Sequence, residues 1–550
     1  MLKKFLSVFA ALVLCLIPYA AFAAYIWDGD GSTYNNETAV TITGSASGTL
    51  EVQAGAEVTI NSETRVTSEA GIRFYIEPNA KVVWSAAMVG PANFHTAVTV
   101  DGGGTFEVSG GLISATGHYN STAIFAVGSA ITVSGGTVEA TAGTAIDANE
   151  GSNVEVSGGL VTTTTGTAID AKAGSTVTIS GSGKVRSTRS LAIHVQTGGK
   201  LIVSGGTVEA STGTAIFADS SSTVEVSGGT VEATTGTAIY AYEGNHVRIG
   251  GGTVEVTTGV AIHAQTDATV EISGGTVNAT TGRAIDAGNN ATIEVSGGTV
   301  ATAGAKGMAI FADLSNVNVS GSAAVTATGE ESTAIFADSS NVTVSGGAAI
   351  TATGEESTAI FADHAQIEIS GGTVNAVSDE SKAIYADYSQ LKVSGGTVAT
   401  MNDGSAAIFA DHSRVEVRGS GTVTAAGSAS EAIFATRRSH VEVRDGGTVT
   451  AIGGGSVAIF TTRRVSVEVG DGGTITATGD ANVAILAINR GTVEIRGGGT
   501  VTVTGEESTA ILADYSHVKV NGGIVRFSGE GSRAIHVENK GTVEVSEGSI

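Results

Sequence analysis

In one register the dipeptide Ala-Ile recurs eighteen times between Ile124 and Ile535, each occurrence 22–26 residues after the previous one. A period of that length describes one supersecondary unit stacked on itself, not a string of independent domains. One unit reads Thr223-Val-Glu-Val-Ser-Gly-Gly-Thr-Val-Glu-Ala-Thr-Thr-Gly-Thr-Ala-Ile-Tyr-Ala241. Its three segments alternate apolar and polar residues with period two, which is the pattern of strands and not of helices. Val224 and Val226 share one face, Val231 and Ala233 the next, and Ile239 and Ala241 the third, so all three apolar sides can point to a common axis. If each strand pairs in parallel with its equivalent in the next unit, Val stacks on Val and Ile on Ile, and crossovers between parallel strands are right-handed. The expected fold is all-β: a single-stranded right-handed parallel β-helix of about 18 regular coils, three short strands per coil. Eighteen coils at ~4.8 Å give a rod of about 85–90 Å.

Composition supports a packed core. Glycine is abundant, at 78 of 550 residues, but three prolines and a hydrophobic fraction of 41% exclude collagen and disorder. Acids outnumber bases 53 to 28, for a formal charge of -25, and without a dense basic run nucleic acid is not an expected partner. Residues 1–23 read as a secretory signal, with Lys3 and Lys4, the apolar run from Phe5 to Ile17 and the small-residue site Ala21-Phe22-Ala23. Its removal takes away Cys15, the single cysteine, which excludes disulfides, zinc-thiolate sites and cysteine nucleophiles from the mature chain. No later stretch reaches ~18 consecutive apolar residues, so no transmembrane segment is expected and the chain is placed outside the cell or on its surface. Residues 24–100, which hold both tryptophans, Pro78 and Pro91, are read as an N-terminal cap with irregular first coils. Residues 101–550 are the regular repeats. No C-terminal capping motif is evident, because Val545-Ser-Glu-Gly-Ser-Ile550 falls inside a unit. An open parallel edge there would favour end-to-end association.

The units Val-Ser-Gly-Gly-Thr-Val-Glu-Ala-Thr-Thr-Gly-Thr-Ala-Ile-Tyr-Ala resemble the pectin lyase-like, right-handed parallel β-helix proteins secreted by bacteria. They are most similar to calcium-bearing carbohydrate-binding β-helices and adhesin-like surface members. The resemblance implies an extracellular glycan or cell-surface partner. Those proteins place Asp before the Gly/Ala-Ile pair, where this chain has Thr144, Thr167, Thr214, Thr237, Val260 or Arg283, a departure that argues against calcium at that position.

Outward columns supply the candidate site. The residue after each inward Ile faces out, and this column includes Phe311, Phe336, Phe361, Tyr385, Phe409 and Phe434, a strip of rings for sugar faces or a partner, or rings that simply stack on one another. Two residues further on stand Asp313, Asp338, Asp363, Asp387 and Asp411. Stacked carboxylates repel unless compensated, so this column is either a calcium ladder or a row of Asx-turns; no metal or other cofactor is otherwise called for. A first-strand column of Glu155, Glu225, Glu271, Glu294, Glu368, Glu416, Glu442 and Glu468 reads as a solvated acidic face, and Thr-x-Thr pairs such as Thr422 and Thr424 would suit an ice-binding array. Arg437-Arg438 and Arg463-Arg464 would meet an acidic polysaccharide or be neutralised by Glu442, Glu468 and Asp471. Gly-Asp-Asp, Gly-His-Gly and Arg-Ile-Lys motifs are absent, and the even coil length leaves no inserted loops to build a cleft. The expected function is therefore a non-catalytic, adhesin-like or carbohydrate-binding β-helix; a structural rod or passenger-like display domain and a degenerate polysaccharide lyase are the alternatives.

Overall fold

The computed structural model describes residues 25–27, 32–34, 38–42, 47–68, 70–90, 96–117, 119–172, 174–219 and 221–550. The expected signal at 1–23, Asp28-Gly-Asp-Gly31, Pro91 and His118 lie outside the described residues. Every secondary-structure element among the described residues is a strand, and no helix is long and apolar enough to cross a membrane.

The period of the sequence becomes the rise of a solenoid. One coil is made of Thr105–Val108, Leu112–Ala115 and Thr122–Val127. Each of these strands pairs in parallel with its equivalent one coil on, as in Phe106↔Ile131, Ile113↔Val138 and Ile124↔Ile146. The register then holds from coil to coil through Ile146↔Ile169, Ile169↔Ile193 and Ile193↔Ile216. In Thr333–Asp338, Ala334, Ile335 and Ala337 are buried while Phe336 and Asp338 are half-buried. The axis is thus filled by columns of Val, Ile and Ala. Full burial of each branched side chain contributes about 1.5–3 kcal/mol.

The array is longer than the Ala-Ile count suggests, at about 21 turns in place of 18. Val98 and Ile72 continue the isoleucine column in the N-terminal direction, Ile124↔Val98 and Val98↔Ile72, so coils form there without the dipeptide. Trp84 is fully buried in this stretch, packed with Phe74 and Phe106 at centroid distances of 6.2 and 6.0 Å. Its Nε1–H donates to the Ala86 carbonyl at 2.8 Å, which satisfies the one polar atom that burial would otherwise strand.

The corners differ from expectation in some coils. Lys200–Ala218 and Thr223–Ala241 are each one continuous strand, because the ladder runs on through Ser-Gly-Gly with register shifts at Ser204. Such bulges bend a strand without ending it. Gly229 makes this corner possible: its φ is 69°, and a Cβ there would sit 2.6 Å from the Gly205 carbonyl.

Two buried hydroxyl ladders also hold the coils. At one corner the Ser389 N–H donates to Ser413 Oγ at 2.9 Å and the Ser413 N–H to Ser439 Oγ at 3.0 Å. At another, Ser430 donates to Ser456 Oγ at 3.4 Å, Ser456 to Asn482 Oδ1 at 2.8 Å, and Asn482 to Ser508 Oγ at 3.1 Å. These corner amides, which a tight turn would leave unpaired, thereby find acceptors in the next coil. At the far end, Arg533–Glu538 and Thr542–Ser549 form the last coil, where Val543 and Val545 are 43% and 50% exposed.

Candidate binding face

The third-strand face carries the columns expected to form a site, and the ladder sets them in register: Phe311↔Phe336↔Phe361↔Tyr385↔Phe409↔Phe434 and Asp313↔Asp338↔Asp363↔Asp387↔Asp411. Parallel pairing repeats each outward residue at coil spacing, so the rings meet. Phe336, Phe361, Tyr385 and Phe409 stack at centroid distances of 4.8–4.9 Å with planes within 6° of parallel. Phe409 and Phe434 stay in contact at 4.9 Å but are tilted by 60°. The rings are half-buried, because each covers the face of its neighbour. What they offer outward is a row of ring edges, in contrast to the open strip of faces that the column suggests in one dimension. Arg283 closes the near end, with its guanidinium carbon 3.8 Å from the Phe311 centroid.

Where a serine stands two residues after the aspartate, the turn closes by a route other than the expected Asx-turn. The Ser389 and Ser413 hydroxyls donate to the backbone carbonyls of Asp387 and Asp411, both at 2.7 Å, which leaves the carboxylates for other partners. Ser339 Oγ donates to Asp338 Oδ1 at 3.0 Å, and His364 Nδ1 lies 2.6 Å from Asp363 Oδ1. Arg437 Nη1 donates to Asp411 Oδ2 at 2.7 Å. Asp387 has the least help: burial, then the flanking Asp411 and Asp363 carboxylates, hold its carboxyl above the ordinary value.

A second ring ladder, not singled out in the sequence, lies on the residue that follows each aspartate. Leu314, Ser339, His364, Tyr388 and His412 all have φ between 46° and 50°, a turn conformation that swings their side chains clear of the sheet. Tyr388 is 53% exposed and sits between His364 at 5.1 Å and His412 at 4.4 Å, with planes within 5° of parallel. Reading the column one place beyond the aspartates would have found it.

The same turn continues into Arg437, Arg438, Arg463 and Arg464, all exposed and all at positive φ. Internal neutralisation by Glu442, Glu468 and Asp471 does not occur. Arg414 holds Glu442 at 2.8 Å, Arg444 also reaches Glu442 at 2.9 Å, and Arg496 pairs with Glu468. The first-strand glutamates are in general taken by first-strand bases across coils, as in Lys392–Glu368 at 2.6 Å and Arg248–Glu271 at 3.0 Å, so that face is an ion-pair lattice in place of a bare acidic one. Among the described residues Arg437 pairs with Asp411, while no ion pair reaches Arg438, Arg463 or Arg464. With His412 and Asn489 these four arginines line a depression of about 450 Å³.

A parallel β-solenoid with in-register outward columns is the class of protein that this geometry defines. Residues 178–324 match the family model described as the right handed beta helix region, in agreement with right-handed crossovers. No curated protein matches the chain.

Proposed function

We propose that this chain is a secreted or surface-displayed, non-catalytic β-helix with an adhesin-like, carbohydrate-binding role. Its contact would run along the third-strand face and the adjoining turns, from Phe311 to Arg464. The arginine depression carries this reading. In a chain of formal charge -25, three exposed guanidiniums without acid partners are concentrated on one turn of two successive coils. Planar guanidiniums bind carboxylate and sulfate groups in bidentate fashion, and their repeat at coil spacing suits a polymer bearing such groups at intervals. Glycan-array binding of the purified chain, with acidic and neutral polysaccharides, tests it. Acidic glycans are expected to bind, and R438Q/R463Q/R464Q to lose at least about ten-fold in affinity, the equivalent of ~1.4 kcal/mol, with an unchanged unfolding midpoint. Silence on acidic glycans, or full binding by the triple variant, would refute the reading.

The mutual stacking of Phe336, Phe361, Tyr385 and Phe409 favours a second reading, a structural rod or display domain in which the rings only brace the coils. In that case F336A/F361A/Y385A lowers stability and leaves every binding signal untouched.

A further inference from the structure

Beside the arginine depression, one group of donor atoms from Asp387, Asp411 and His412 converges. Asp387 and Asp411 are register partners on successive third strands, and His412 follows Asp411 in the turn. One donor atom from each of the three lies within 4.8 Å of the others. Asp411 is only 5% exposed. Its Oδ2 accepts from Arg437, but its Oδ1, together with Asp387 Oδ1 and His412 Nδ1, is buried without a hydrogen-bond partner. His412 Nδ1 stands 3.0 Å from Asp411 Oδ1. Buried polar atoms without a hydrogen-bond partner are costly, and a separation of this size is what two ligands ~2.0–2.2 Å from one ion have at about a right angle.

The surroundings hold these donors in place. Tyr388 lies flat against the His412 ring, 4.4 Å away, and so fixes the direction of Nδ1. Arg437 grips the far oxygen of Asp411, the kind of outer contact that orients a ligating carboxylate. Neighbouring coils are closed by comparison: Asp363 Oδ1 is occupied by His364, and Asp338 Oδ1 by Ser339. One coil further on, the aspartate position is Thr436.

We propose that Asp387, Asp411 and His412 form a site for a divalent transition-metal ion of the zinc type that ties two coils together. An imidazole nitrogen among three protein ligands suits such an ion, whereas calcium takes six to eight oxygens. The proposal therefore replaces a calcium ladder along the whole aspartate column with a single site at one coil junction. It is independent of glycan binding.

Calorimetric titration of the purified chain with Zn2+, and separately with Ca2+, tests it. One equivalent of Zn2+ is expected to bind well ahead of Ca2+. H412Q and D387N should weaken that equivalent by at least the ~10–100-fold that loss of even an outer-shell partner costs, while H364Q, in the equivalent turn two coils earlier, leaves it intact. Co2+ substitution in the unmodified chain should show the visible bands of a nitrogen-ligated ion, a readout that no folding defect can imitate. Absence of a stoichiometric Zn2+ site, equal binding by H412Q, or preference for Ca2+ would overturn the assignment.

Discussion

At the scale of single residues, stability depends on what the next coil can accept. A Cβ on Gly354 would lie 1.8 Å from the Gly329 carbonyl oxygen, whereas one on Gly288 would meet nothing within 4 Å. Gly354→Ala is therefore expected to destabilise the chain by ~3 kcal/mol or more and Gly288→Ala to change it by less than ~0.5 kcal/mol; chemical denaturation separates the two. Ala365 offers a change in the other direction. It occupies the position where Ser340, Ser389 and Ser413 supply the buried hydroxyl, with Ser315 donating to Ser340 Oγ at 3.0 Å. Restoring an acceptor for the Ser340 amide by A365S should stabilise by about 1 kcal/mol, and an unchanged or lower midpoint would show that the hydroxyl ladder carries no net energy. The serines are plain in the sequence, but their direction was not: an Asp-x-Ser turn can close through the carboxylate or through the hydroxyl. Only backbone geometry chose the hydroxyl, and that choice is what leaves Asp387 and Asp411 open.

Strands bring residues of one kind into columns, so electrostatics here belongs to the element. Glu209, Glu232 and Glu255 are register partners on the second strand, and burial, then the Glu209 and Glu255 carboxylates, push the Glu232 carboxyl above its usual value. A carboxyl raised on folding is penalised when charged: the cost is present above its folded value and gone once pH falls below its unfolded one. Glu232→Gln should therefore raise the unfolding midpoint at neutral pH, with the gain fading as pH falls through that raised value towards the ordinary carboxylate range. A gain that instead grows on acidification would mean that Glu232 is stabilised by its partners. Such columns were legible from spacing alone, as were the phenylalanines. What spacing could not tell was whether rings at that repeat present faces or edges. Their separation of 4.8–4.9 Å is the strand spacing itself, close enough for each ring to cover the next.

For the whole molecule, a net charge of -25 on a rod of about 21 turns sets like charges along several faces while cross-coil pairs offset them locally. Repulsion between exposed columns acts over a Debye length of ~8–10 Å at ordinary ionic strength, longer than the coil rise. Raising NaCl from 10 mM to 0.5 M should thus increase the midpoint of thermal unfolding. A decrease would place the balance with the pairs, such as Lys392–Glu368 and Arg444–Glu416. The same scale explains why eighteen coils were expected. The Ala-Ile count follows the dipeptide, but the core needs only apolar volume at that point, and Val98 and Ile72 supply it.

The sequence by itself determined the solenoid, its period, the inward residues and the identity of each outward column, because a parallel ladder copies a one-dimensional repeat directly into space. Tertiary structure alone decided which charges remain unpaired and which donors converge. Glu442 and Glu468 lie close in sequence to the paired arginines, yet they face the first-strand side, where Arg414, Arg444 and Arg496 take them. Among the described residues the turn arginines Arg438, Arg463 and Arg464, exposed at positive φ, are reached by no ion pair, while Arg437 pairs with Asp411. The reason is physical: repeats fix which residues stack, whereas pairing depends on the direction in which each side chain leaves the coil.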